Sequence, residues 1–151
     1  MVVDPETLHI KWMQIGPWLR QHNPIFHGDG TITVFNNNAF LVELDGVKLP
    51  LDSTVKSNIV RYDFTMNKDK VAYGALPDQH FATVVRGRHE ASPNGGFIIS
   101  EFEGGRVFEV DEDGALVWEY VNGFDEDNVA EITGAAIYPR HYFTDVDWAC
   151  N

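Results

Sequence analysis

The stretch Arg86–Asn122 limits the possible folds more than any other part of the chain. It reads RGRHEASPNGGFIISEFEGGRVFEVDEDGALVWEYVN, four short apolar runs parted by turn residues. Strands are predicted at Arg88–Ser92, Phe97–Phe102, Arg106–Asp111 and Ala115–Tyr120. The turns fall at Pro93-Asn94-Gly95-Gly96, Gly104-Gly105 and Glu112-Asp113-Gly114. Gly, Asn and Asp accept the positive φ that tight hairpins demand. The runs between them are rich in Val, Ile, Phe, Trp and Tyr, as half-buried strands are. A lone four-stranded antiparallel sheet leaves both faces uncovered. Radial repetition of such sheets, as in the blades of a β-propeller, covers them.

The pattern recurs along the chain. Val2-Val3-Asp4, a turn at Pro5–Thr7 and an alternating run Leu8–Ile15 containing Trp12 match Val110-Asp111, the next turn and Trp118. A third copy is Ile59–Asp63, a turn at Asn67–Asp69 and Val71–Tyr73. The markers Asp4, Asp63 and Asp111 stand about 50 to 60 residues apart, a spacing that suits propeller blades. The front half repeats as well. His22–Phe26, the turn His27–Gly30 and the run Thr31–Phe35 parallel the chain from His89 to Ile99. Between them, Asn36–Ser57 is a long loop containing Asp45-Gly46 and Pro50, with a small hairpin expected at Phe40–Leu49. Loops of that length are often functional. Beyond Tyr120, the run Ile132–Tyr138 predicts one more strand, Pro139 closes it, and Arg140–Asn151 reads as a tail. No segment carries the helical period.

The expected fold is therefore all-β. It is one propeller-like domain over residues 1–151, built of four-stranded antiparallel sheets amounting to about three blades. Its parts are a partial blade at 1–17, a blade at 18–77, a blade at 78–123, and a partial strand and tail at 124–151. A closed ring takes roughly four blades or more. The chain is expected either to be a fragment of a longer propeller or to be completed by a homo-oligomer.

The net charge of −12 argues against nucleic acid and anionic membranes as partners. Glu101–Glu131 holds eleven carboxylates and one base, Arg106, and reads as a solvated acidic face. The single cysteine, Cys150, excludes an internal disulfide. No apolar run approaches the ~20 residues of a membrane span. Met1-Val2-Val3-Asp4 lacks the basic start and apolar stretch of a signal peptide. No His or Cys spacing suggests zinc, and Asp29-Gly30 and Asp113-Gly114 lack the ligand run of a calcium loop, so no metal is expected. The four tryptophans read as outer-strand core.

At Trp18–Asn38, WLRQHNPIFHGDGTITVFNNN, followed by Ser57–Phe64, SNIVRYDF, the chain resembles the arylsulfotransferase family of β-propeller enzymes. The matching elements are Gln21-His22, Gly28-Asp29-Gly30, Val34-Phe35-Asn36-Asn37 and Ser57–Asp63. Pro93–Gly96, Gly105–Val110 and Val117–Tyr120 resemble that family's closing blade. The likeness covers most of residues 2–143. Asn36 stands where an aspartate is usual, and the resemblance implies earlier blades that this chain does not contain.

The resemblance implies transfer of a sulfuryl group from an aryl sulfate to a phenol, without a cofactor, through a histidine that is transiently sulfated. The partners are then small aryl sulfates and phenols, and the setting periplasmic or secreted. His22 occupies the matching position, and neutral imidazole is a good nucleophile near neutral pH. Arg86, Arg88 and His89 open the equivalent strand of the next blade, where they can meet sulfuryl oxygens through charge-assisted hydrogen bonds. The expected catalytic set is His22, His89 and Arg88. Arg20, Arg86, His80 and Asn36 are the expected substrate-binding residues, with His80 assisting proton transfer at the phenol. His27 is expected on the far side of its strand and exposed, and His9 and His141 at the surface. The alternative is a non-catalytic propeller module for binding or scaffolding, or an inactive fragment.

Overall fold

A computed structural model describes residues 1–39, 56–139 and 141–143, and the backbone of 41–44 and 47–50. Strands β1 (Val2–Val3) and β2 (Ile10–Trp12) form an antiparallel pair. The strands β3 (Gln21–Phe26), β4 (Thr31–Asn36), β7 (Asn58–Asp63) and β8 (Lys68–Tyr73) form a four-stranded sheet in that order. The hairpin of β5 (Leu41–Leu44) and β6 (Val47–Pro50) is inserted between β4 and β7. Its expected turn, Asp45-Gly46, and Phe40 lie outside the described residues. A second four-stranded sheet contains β9 (Gly87–Ala91), β10 (Phe97–Glu101), β11 (Arg106–Val110) and β12 (Leu116–Val121), each paired antiparallel with the next. Among the described residues the only helix is one 3-10 turn at Pro77–Gln79.

The recurring aspartates have a mechanical explanation. Oδ1 of Asp4 accepts the backbone N–H of Glu6 and Thr7, and Oδ1 of Asp63 accepts those of Thr65 and Met66. Oδ1 of Asp111 accepts those of Asp113 and Ala115, with Gly114 at φ 81°. Each aspartate ends one strand and folds the chain back by mimicking a backbone turn. Asp125 does the same with Asp127 and Asn128.

Strand β4 is buried on both sides along its length. Its side chains alternate, so Phe35 faces one neighbour and Ile32 and Val34 the other. Phe35 joins Ile59, Tyr73, Phe81, Phe97, Ile99, Phe108 and Val110 in the core between the two large sheets. Ile32 and Val34 join Trp18, Val60 and Tyr62, with Trp12 and Phe64 packed against them. Phe81 enters the first core from the connection between the sheets and is fully buried. A polar seam holds that connection. Ser57 Oγ lies 3.0 Å from Asn37 O and accepts the Thr83 N–H at 3.0 Å, while Asn37 Nδ2 donates to Thr83 O at 2.9 Å.

One predicted strand is corrected. Residues 131–139 carry no strand. The segment instead runs irregularly beside the second sheet, the Ile132 N–H donating to Phe102 O at 3.2 Å. Its Gly134-Ala135-Ala136 supplies no bulky alternation to hold a ladder. Arg140 and residues 144–151, with Cys150, lie outside the described residues.

Candidate active site

The candidate site forms where the opening ends of β3 and β9 lie side by side. The first residues of β3 carry His22, and a register shift between His22 and Ile25 places Asn23 at φ 50°. Asparagine tolerates that left-handed conformation better than most residues. The bulge turns the Asn23 side chain toward β9, where its Oδ1 accepts the His89 N–H at 2.7 Å. The two strands are thereby locked together without a ladder.

The His22 ring is half-buried and held on three sides. It stacks on Phe35, its cross-strand neighbour, with centroids 5.1 Å apart and planes 19° apart. Nε2 lies 2.6 Å from the Gly87 carbonyl oxygen, and Nδ1 lies 3.1 Å from that of Arg20. Arg20 itself has φ 53°, and its carbonyl faces the ring. His22 also lines a cleft of about 230 Å³ whose walls include Trp12, Trp18, Phe26 and Ile32. Trp18 is buried in the second core and Trp12 packs against it, as the expectation of core tryptophans has it, and both also line the cleft. Trp118 on β12 is 40% exposed and donates its Nε1–H to Glu109.

The loop that presents Gly87 is anchored by carboxylates. Glu103 accepts the N–H groups of Val84 and Val85, each at 3.1 Å, and Glu101 accepts that of Ala82 at 2.7 Å. Glu101 also pairs with Arg106 at 2.8 Å. Thr83 Oγ1 bonds Arg86 O within the same loop. Glu101 and Glu103, like the buried Glu109, are thus structural acceptors rather than solvated surface.

His89 sits differently from its expected role. It is 1% exposed, with Nε2 2.8 Å from Thr33 Oγ1 and Nδ1 buried without a partner. Burial pushes its pKa down to about 3, and the neighbouring His27 and His22 add to that. A neutral, enclosed imidazole supplies no cation to a sulfate, so the expected charge at this position is corrected. His27 is corrected too. It is half-buried rather than exposed, and its Nε2 shares the same Thr33 hydroxyl at 2.9 Å. Burial, and then Arg61, push its pKa down against the pull of Asp29.

The arginines do not converge. Arg88 is exposed and, one residue from His89, faces the other side of β9. It lies against Gly134, where a Cβ would meet Arg88 Cδ at 3.1 Å. The Arg86 guanidinium stacks over Phe102 at 5.1 Å. Arg20 is exposed, two residues from His22, with one long bond of 3.4 Å to Val84 O. His80 is exposed at the end of the 3-10 turn, its carbonyl accepting from Arg106 at 3.3 Å. Asn36 is 2% exposed and serves the backbone. Its Oδ1 accepts the Leu19 N–H at 2.7 Å and its Nδ2 donates to Asn58 at 3.0 Å. An amide so enclosed ties the backbone of Leu19 to β7. His9 and His141 are exposed.

The residues that sequence reasoning missed are Asn23, Thr33, Phe35, Gly87 and Glu103. Only Asn23, between a histidine and a proline, carried a local signal. The rest act through a backbone atom or across sheets. Among the described residues no group of three or more His, Cys, Asp or Glu is placed to hold a metal ion. No described helix is long and apolar enough to cross a membrane.

A family model described as Arylsulfotransferase (ASST) matches residues 1–123. No curated protein and no solved structure matches the chain.

Proposed function

Because the chain belongs to the arylsulfotransferase family, we propose that it moves a sulfuryl group from an aryl sulfate to a phenolic acceptor through His22. One observation carries the reading: His22 is an oriented imidazole at the edge of a cleft walled by Trp12, Trp18 and Phe26. Flat aromatic walls suit an aryl ring, with offset or edge-on stacking contributing beyond area burial. A sulfate ester carried on that ring comes within reach of the histidine.

The imidazole lone pair attacks sulfur. An S–N bond forms, and the S–O bond to the aryl group breaks with its electron pair leaving on the phenolate oxygen. The acceptor oxygen then attacks the same sulfur, and the S–N pair returns to the ring. The proton lost by the acceptor phenol balances the one gained by the departing phenolate. Arg20, two residues from His22, offers a guanidinium to the sulfuryl oxygens, and its long bond to Val84 O is readily exchanged for one to substrate. In this reading the large sheets are propeller blades, and Arg86 and Arg88 open the next blade.

The expected result is release of 4-nitrophenol from 4-nitrophenyl sulfate that rises with added phenol, follows ping-pong kinetics and is lost in His22→Ala. Folded protein that releases no nitrophenol contradicts the proposal for this donor. A second reading, a non-catalytic binding module, has its own support. Arg86 is engaged with Phe102 and His89 is buried, so the positive groups expected around the sulfate are dispersed. Binding of an aryl sulfate without turnover would favour it.

A further inference from the structure

We infer that the carbonyl of Gly87 fixes which nitrogen of His22 reacts: it holds Nε2–H and leaves Nδ1 as the atom that takes the sulfuryl group. The inference rests on the sulfuryl-transfer reading above and goes beyond it to the atom.

A neutral imidazole has one N–H and one lone pair. Both ring nitrogens of His22 face carbonyl oxygens, which only accept. The two contacts are unequal. Nε2 is 2.6 Å from Gly87 O in a part-buried setting. Two lone pairs at that separation repel, since even N–H···O bonds sit at about 2.7–3.2 Å. Of the two contacts, the shorter and more buried one repels a bare nitrogen more strongly, and to it we assign the hydrogen. Nδ1 is 3.1 Å from Arg20 O on the exposed side, so that carbonyl must turn away for Nδ1 to take the sulfuryl group.

The Gly87 carbonyl is built into place. A Cβ at residue 87 would meet Phe35 Cζ at 2.4 Å and Thr83 Cγ2 at 2.7 Å. Glycine there lets Phe35 lie under the His22 ring while the carbonyl reaches its edge. The register of β9 against β3 is set by Asn23 on the His89 N–H, and the preceding loop by Glu103 on Val84 and Val85. Gly87 is thus a positioning residue.

The bond has a consequence in the reaction. When Nδ1 bonds sulfur and the aryl oxygen leaves with its electron pair, the ring gains positive charge. Nε2–H then becomes a stronger donor, and its bond to Gly87 O strengthens. An interaction that strengthens along the reaction lowers the barrier. On the return step the S–N pair goes back to Nδ1 and the ring is neutral again.

The test reads the tautomer and the reacting atom separately. Two-bond proton–nitrogen correlation NMR on full-chain protein with nitrogen-labelled histidine, at alkaline pH, should show His22 with Nε2 protonated and Nδ1 bare. A bare Nε2 would overturn the inference. In parallel, His22→Nδ1-methylhistidine is mixed with 4-nitrophenyl sulfate and its intact mass taken, beside wild type. Wild type should gain a sulfuryl group and the methylated variant should not. A sulfated methyl variant would overturn the inference by placing reaction on Nε2. Wild type that shows the Nε2–H tautomer but no adduct would contradict the transfer reading, while upholding the carbonyl's hold on the ring.

Discussion

Strand β4 separates two seams of opposite character. On one face, Phe35 meets the second sheet in a filled core, where Phe35, Phe81, Ile59, Ile99 and Val110 are fully buried. On the other face, Ile32 and Val34 meet the N-terminal hairpin, and the packing is incomplete. Phe26 is 61% exposed, Ile15 is 94% exposed, and a cleft of about 230 Å³ remains. The difference lies in what each face meets. The filled seam has four strands opposite it, a connection that contributes Phe81, and the Ser57–Asn37–Thr83 bonds. The open seam has two short strands of two and three residues. His22 belongs to both, with its ring on Phe35 and its edge on the cleft. Rigidity on one side and space on the other are what a positioned reactive group needs.

The contrast can be broken most strongly at Phe81. Phe81→Ala should cost about 3–5 kcal/mol of stability in urea unfolding, because a fully buried ring leaves a cavity in a seam that cannot collapse. An effect below about 1 kcal/mol would mean that the seam is as loose as its counterpart. Acid tests the same seam through His89. Its folded pKa of about 3 lies below the unfolded value near 6.5. Between those values the unfolded chain binds a proton that the fold rejects. Stability should therefore be complete above about pH 6.5 and fall as pH drops toward 3, by up to about 1.4 kcal/mol per pH unit. His89→Asn should flatten the slope between about pH 6.5 and 5.5, a range that lies above ordinary carboxylate titration.

The open seam should respond less. Trp12→Ala should cost about 1–3 kcal/mol, since that ring is only half-buried, yet it should raise KM for an aryl sulfate by removing a cleft wall. Equal destabilisation by Trp12→Ala and Phe81→Ala would erase the contrast. The smallest stability effect is expected at Glu103. Glu103→Ala should cost about 1 kcal/mol through two backbone bonds at a partly exposed carboxylate. Hydrogen exchange at Val84 and Val85 should quicken, while exchange along β4 stays slow.

The fold was legible where local chemistry dictates it. The turns at Asn94-Gly95 and Asp113-Gly114 and the repeated Asp4, Asp63 and Asp111 each act within a few residues of themselves, so their pattern survives in a linear reading. Ile132–Tyr138 misled because an apolar run alone does not specify a pairing partner. His22 stood out in the sequence through the company it keeps in a family motif. His89 looked equivalent by position, but its burial depends on Phe35 and Phe97 from other strands. The roles of Gly87 and Thr33 were invisible because a carbonyl and a shared hydroxyl have no sequence signature. Asn36 stands at a motif position where an aspartate is usual, yet it spends its amide on Leu19 and Asn58, a tertiary fact.

The most direct test of the account is the covalent state of His22. Protein mixed briefly with 4-nitrophenyl sulfate, quenched and digested, should yield one sulfated peptide, with fragmentation placing the group on His22. Addition of phenol before the quench should remove it. Sulfation at another residue, or none on folded protein that binds the ester, would contradict His22 as the group that carries the sulfuryl.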